Sequence, residues 1–160
     1  MPDPVSALPA VATVADASPR RSITRILLAT DLTSTSAGAT DQAFELAGQL
    51  GANLLVVSVI DPGTGGRPGQ PVLRMDQRRA ERELAAQALV LRGRREGVGV
   101  SFLVWEGEPG PSIVDAAVSE QVDLIVVGSH GRNRVERVVL GSVSDHVSRN
   151  APCPVLIVRS

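Results

Sequence analysis

The stretch GSHGRNRVERVVLGSVS opens on Gly128 and Gly131, runs nine further residues, and then places Gly141, Ser142, Val143 and Ser144 together. A phosphate chain needs several backbone N–H groups aimed at it with no Cβ atoms in the way. Glycines in turns and the first turn of a helix provide them. Ser142 and Ser144 add hydroxyl groups, and His130 lies between the first two glycines. The same glycines also suit ordinary turn chemistry, so both readings stand on spacing alone. Asp31 is the second residue of this kind, a carboxylate directly after the aliphatic run Arg25 to Thr30. Open parallel sheets bind ligands beyond the carboxyl ends of their strands, where strand order reverses. Asp31 and Gly128 each follow a strand-like run and would share one cleft if those strands were neighbours, which the pattern leaves open.

Other chemistries find less material. His130 could touch a phosphate, but no Ser or Cys nucleophile with an acid partner accompanies it, and loop polarity is the simpler role. His146 falls on a helix without metal-ligand spacing, so zinc is not expected. Cys153 is the single cysteine. It excludes an internal disulfide and a CxxC pair, and with no basic cluster beside it, it reads as a buried inert thiol. Every cation among the 16 Lys and Arg residues is an arginine, so a Walker-type phosphate lysine is excluded.

The elements that must position these residues are legible from Ile23 onward, where strand-length apolar runs alternate with helical periodicity, the pattern of an α/β fold. Arg25–Thr30, Asn53–Ile60, Val98–Trp105, Asp123–Val127 and Pro154–Val158 read as five strands. Aliphatic runs of this kind suit a parallel sheet covered on both faces. The first helix follows N-cap candidates at positions 33 to 36, carries Ala43, Leu46, Ala47 and Leu50 on one face, and ends at Gly51. A second helix spans about Met75 to Glu96, with Ala80, Leu84, Ala88 and Leu91 as its core stripe and six arginines on other faces. Those arginines, interspersed with Asp76, Glu81, Glu83 and Glu96, read as a solvated face. Pro109 and Pro111 open a third helix that runs to about Gln121. A fourth runs from near Leu140 to Asn150, with Leu140, Val143 and Val147 toward the core and Pro152 stopping it. Trp105 reads as a partial core residue, and Asp61 to Pro71 as a flexible excursion. Crossovers of these lengths join parallel strands with a right-handed turn.

Composition narrows the partners. A chain of 160 residues suits one domain. With 2% aromatic residues, no tyrosine and a net charge of -1, it lacks both the stacking surfaces and the basic field of a nucleic-acid binder, so no nucleic acid is expected. No apolar stretch approaches the roughly 20 residues that cross a bilayer as a helix. Residues 1–22, rich in Ala, Pro, Val and Ser with Asp3 where a secretory signal would be basic, read as a disordered tail before a domain at 23–160. The expectation is a cytoplasmic protein with no membrane partner.

The strand followed by Gly-x2-Gly-x9-Gly-Ser, a short helix and the PCPVLIV strand resembles the ATP-binding branch of the universal stress protein family, over about Ile23 to Arg159. ATDLTSTS is similar to that family's opening Asp loop, SVID to its adenine edge, and VDLIVVGSHGR to its fourth-strand signature. The resemblance implies a single-domain, open parallel five-stranded sheet of order 3-2-1-4-5, with helices on both faces, Rossmann-like and akin to adenine nucleotide alpha hydrolases. It implies that Asp31 contacts ribose or a phosphate-bound Mg2+ or Mn2+. Val59 would offer its backbone to adenine, and Ala29 and Thr30 would line the cleft. Gly128, His130, Gly131, Arg132, Gly141, Ser142, Val143 and Ser144 would surround the phosphates of ATP. Two departures stand out: Leu32 occupies a position where a small residue more often follows the aspartate, and Arg132 and Arg134 add charge that either strengthens anion binding or points to solvent. The resemblance also implies a homodimer through the fifth strand, an apolar sheet edge of the kind that invites pairing.

These observations support an ATP-binding regulatory or signalling module of the stress response. The alternatives are a cyclic AMP-binding protein, a slow ATPase or self-phosphorylating protein using Ser142 or Ser144, and a nucleotide-free structural dimer.

Overall fold

The computed structural model describes residues 22–63, 74–129 and 140–159. Five strands, β1 (Arg25–Ala29), β2 (Asn53–Ile60), β3 (Val100–Glu106), β4 (Leu124–Gly128) and β5 (Val155–Val158), form one parallel sheet in the order β3-β2-β1-β4-β5. This is the expected order, and it makes β1 and β4 neighbours with the strand sequence reversing between them. Four α-helices connect the strands: α1 (Ala37–Leu50), α2 (Met75–Glu96), α3 (Pro109–Ser119) and α4 (Ser142–Asn150).

Alternate side chains of the central strands feed two cores. Ile26, Leu28, Leu54, Val56 and Val126 pack toward α1 around Ala43, Phe44 and Ala47. Leu27, Ala29, Leu55, Val57, Ile125 and Val127 pack toward α3 and α4 around Ile113, Ala116 and Val147, with Trp105 at the margin. The sheet is therefore covered on both faces, which explains why β1, β2 and β4 read as continuous aliphatic runs.

The far end of the sheet is fastened by Asp123. Its Oδ2 accepts hydrogen bonds from the Thr24 N–H at 2.9 Å, the Thr24 hydroxyl at 3.0 Å and the Arg25 N–H at 3.0 Å. Arg25 also pairs with Glu120 at 2.6 Å. These bonds set the β1–β4 register, Ile26 beside Leu124 through Ala29 beside Val127, and so deliver Asp31 and Gly128 to the same end.

Several boundaries differ from the sequence reading. β1 ends at Ala29, although the Thr30 N–H still bonds the Val57 carbonyl at 3.0 Å. β3 begins at Val100 because Val98 turns its N–H back to Gly93 at the end of α2. α3 closes at Ser119. α4 begins at Ser142, since Gly141 is extended and the first helical bond runs from the Asp145 N–H to the Gly141 carbonyl. Leu140 is 41% exposed and Leu50 48% exposed, so neither joins the core as expected.

The larger correction concerns α2. Its expected core stripe faces outward: Ala80 and Ala88 are exposed, Leu84 is 70% exposed and Leu91 54%. The buried side is the opposite one, with Ala86 and Gly93. A Cβ on Gly93 would lie 2.4 Å from Val100 Cγ2 and 2.6 Å from the Val98 carbonyl oxygen, so only glycine lets the helix approach β3 this closely. Arg78, Arg79, Arg82 and Arg92 are half-buried, lying along the sheet and α1 by their methylene stems. Arg79 donates to the Val104 carbonyl at 3.0 Å and to Glu106 at 3.0 Å. Arg92 stacks over Phe44 at 4.2 Å and pairs with Asp41 at 2.6 Å. Four of the six arginines thus lie on a packed face, each guanidinium reaching an acceptor or a ring on the strands, the loops at their ends or α1. Arg94 and Arg95 are exposed, as the solvated reading expects.

The tail at 1–21, most of the excursion after Asp61, and residues 130–139, including His130, Gly131, Arg132 and Arg134, lie outside the described residues.

Candidate functional site

The carboxyl ends of β1, β2 and β4 and the amino ends of α3 and α4 enclose a cleft of about 890 Å3. That size falls within the range of small-molecule sites. Ala29, Thr30, Asp31, Val59, Gly128, Gly141, Ser142, Val143 and Ser144 all line it, so the structure brings together every expected site residue that it describes. It sits at the topological switch between β1 and β4, the point where such sheets bind ligands.

One wall is the Asp31 loop. Oδ1 of Asp31 accepts from the Thr33 N–H at 3.0 Å, the Thr33 hydroxyl at 2.7 Å and the Ser36 hydroxyl at 3.0 Å. Burial raises the pKa of this carboxyl. The hydrogen bonds from Thr33 and Ser36, together with the nearby Arg82 charge, outweigh it and hold the group below its ordinary value. Asp31 is thereby kept anionic with Oδ2 as its remaining acceptor edge. Leu32 adopts the left-handed region at φ 59°, its N–H bonding Thr30 Oγ1 at 2.9 Å, and packs against the α1-side core. The bulky residue is turned away and does not line the cleft. A non-glycine left-handed residue costs about 1–2 kcal/mol, which the loop's hydrogen bonds offset.

The facing wall is the start of α4. Gly141 is anchored by its N–H to the Ser129 carbonyl at 2.9 Å. No side chain caps the helix. The N–H groups of Ser142, Val143 and Ser144 precede the first helical bond and have no helical carbonyl to meet. Together with the helix dipole they form a site for negative charge. The Ser144 hydroxyl donates to the Gly141 carbonyl at 3.0 Å and approaches the Ser129 carbonyl at 3.3 Å, so it braces the turn. Ser142 is exposed on the cleft side.

The base of α3 completes the enclosure. A Cβ on Gly110 would lie 2.8 Å from Cγ of the His146 ring, so glycine allows the α3 start to pack on α4. Cys153 stands apart from the cleft lining, and burial together with the Asp123 charge pushes its thiol up, as an inert thiol requires.

Of the lining residues not anticipated as site residues, two carry charge to the Asp31 wall. Arg78 and Arg82 enter it from α2. Arg82 Nη1 donates to the Asp31 carbonyl oxygen and to Ser58 Oγ at 2.8 Å, tying the ends of β1 and β2 together. Arg78 Nη1 donates to the Asp61 carbonyl at 3.2 Å. The signal available in the sequence was their i, i+4 spacing on the side opposite the outward leucines. Among the described residues no group of three His, Cys, Asp or Glu side chains is arranged to hold a metal ion. Among them, too, no helix is long and apolar enough to cross a membrane.

The parallel 3-2-1-4-5 sheet with helices on both faces and a cleft at its switch point is a Rossmann-like α/β architecture. The model of the universal stress protein family matches residues 22–159, and the chain belongs to that family. A universal stress protein of Methanocaldococcus jannaschii is 32% identical over 138 residues, which cover 84% of this chain and 81% of that one. The solved universal stress protein UspA of Lactobacillus plantarum superposes with a TM-score of 0.70 at 28% identity, covering 87% of this chain and 99% of that one. A universal stress protein solved in complex with cAMP superposes with a TM-score of 0.66 at 24% identity over 87% of this chain and 98% of that one, a likeness of fold.

Proposed function

We propose that the cleft binds an adenine nucleotide, ATP in the first place, and that the chain acts as a nucleotide-responsive regulatory module of the stress response. The observation that carries this reading is the uncapped start of α4: three backbone N–H groups with no helical acceptor line the same cleft as an anionic Asp31. An anion there acts as the missing cap and gains from the helix dipole. The phosphates lie along Gly128 and Gly141 to Ser144; the family resemblance adds His130, Gly131 and Arg132, which lie outside the described residues. Asp31 would hold the ribose hydroxyls or a Mg2+ or Mn2+ carried on the phosphates, a hard cation that suits a carboxylate oxygen. Val59 presents its backbone to the base, and Ala29 and Thr30 form the floor.

The adenine assignment comes from the family. The relative solved with cAMP is a universal stress protein of this fold, and at 24% identity it speaks for the fold. Phosphoryl transfer to Ser144 is disfavoured because its hydroxyl is engaged with backbone carbonyls, which leaves Ser142, exposed on the cleft side, as the acceptor that the alternative reading would use. The protein works in the cytoplasm as a homodimer through β5, whose outer edge has no neighbouring strand in the sheet order.

Isothermal titration of the full chain with ATP, ADP, cAMP and GTP tests the reading. Saturable binding of ATP with a stoichiometry of one per chain supports it. A heat signal absent for every adenine nucleotide at millimolar concentration overturns it, and preference for cAMP over ATP replaces ATP as the ligand.

A further inference from the structure

α2 carries on its outward side an apolar stripe that none of the described residues covers. Ala80, Leu84, Ala88 and Leu91 recur at i, i+4, i+8 and i+11, all exposed, directly opposite the side that packs on the sheet through Ala86 and Gly93. Two leucines left 70% and 54% exposed on one helix face form a contiguous patch, not scattered surface apolar residues. The ends of the stripe differ in charge: Asp76 and Glu81 flank it near the amino end of α2, and Arg94 and Arg95 near the carboxyl end.

We infer that this stripe is a self-association surface, and that its occupant is α2 of a second copy of the chain, packed antiparallel about a two-fold axis near Ala88. The charge pattern selects both partner and direction. Antiparallel pairing about that axis sets Leu84 over Leu91 of the second copy, and Glu81 opposite its Arg94. A parallel pairing would set acid on acid and arginine on arginine. The helix dipoles also oppose in the antiparallel form. Both copies present the same patch, as an isologous interface requires. One helix pair buries less than a standard stable interface, so the contact is weak and concentration-dependent, on the order of tens of micromolar. It is independent of what the cleft binds and separate from the β5 edge.

The test uses the full chain with Cys153→Ser, so that an introduced cysteine is the only one, and Ala88→Cys to report on the axis. Under mild oxidation at tens of micromolar protein, a disulfide-linked dimer is expected. Adding Arg94→Glu with Arg95→Glu sets acid on acid and is expected to lower the cross-linked fraction at least fivefold. Adding Asp76→Arg with Glu81→Arg to that variant restores opposite charges and is expected to recover it, a rescue that a merely misfolded variant would not show. No cross-link at any concentration overturns the proposal, and so does a yield that both charge variants leave unchanged.

Discussion

The guanidinium of Arg82, on the sheet-facing side of α2, donates to the backbone carbonyl of Asp31 and at 2.8 Å to the hydroxyl of Ser58. One side chain thus spans from a connecting helix to the ends of two adjacent strands, at the lip of the cleft. Ser58 is fully buried, so the arginine also satisfies a hydroxyl that water does not reach. The same charge helps keep Asp31 ionised. Helix packing and the electrostatics of the cleft are therefore joined in one residue.

Arg82→Met should cost about 2–3 kcal/mol of stability, since it removes a charged donor and strands the Ser58 hydroxyl. Urea unfolding at protein concentrations well below those at which the α2 stripes would pair checks this, with exposed Arg94→Met as the control expected to stay within about 0.5 kcal/mol. Ser58→Ala combined with Arg82→Met should cost less than the sum of the two, because the stranded hydroxyl is then gone.

Asp31 should make stability depend on acid pH. Its folded pKa is below the unfolded value, so its contribution is fully present above the unfolded pKa, about 3.9, and is lost as pH falls through the folded pKa. The stability difference between wild type and Asp31→Asn should therefore shrink as pH is lowered from 6 toward 3. A difference constant over that range in urea titrations would contradict the assignment.

Gly93→Ala should destabilise by about 1–3 kcal/mol, because the added methyl meets the Val98 carbonyl and the Val100 side chain at separations that real contacts do not show. Hydrogen exchange should locate the loss in α2 and β3, leaving the amides of β1 and β4 protected.

Asp123→Ala removes three hydrogen bonds that fasten β1 to β4 at the end remote from the cleft. A cost of about 2–4 kcal/mol is expected by thermal or urea unfolding. The folded fraction should keep its nucleotide affinity, which calorimetry below the unfolding transition would show.

The strands and most of the cleft were legible in the residues because their signals are strong. The strand order came from the family resemblance, since aliphatic runs alone do not say which strands are neighbours. Buried parallel strands must be aliphatic on both sides, and Arg25 to Ala29, Asn53 to Ile60 and Leu124 to Gly128 could be little else. Gly128 and Asp31 stand where strands end. α2 was misread because amphipathicity was taken to mean leucine in and arginine out. Here the strand ends and α1 offer backbone carbonyls, Ser58 and Asp41 to whatever covers them, so arginines with apolar stems suit the inner face, and the leucines fall outside. Leu32 departs from the family's small residue without lining the cleft, because a left-handed backbone turns its side chain into the α1-side core.

Ser142→Pro offers the most direct test of phosphate binding at the start of α4. Ser142 is the first helical residue, where proline is tolerated, and Gly141 before it already has the extended backbone that proline demands, φ -60° and ψ 156°. The substitution deletes one backbone N–H and the hydroxyl from the cleft while preserving the helix. Calorimetric titration of wild type and variant with ATP and with adenosine should show ATP affinity reduced about tenfold or more, with adenosine affinity unchanged. Equal ATP affinity in the two proteins, with the fold intact, would contradict a phosphate site at this helix.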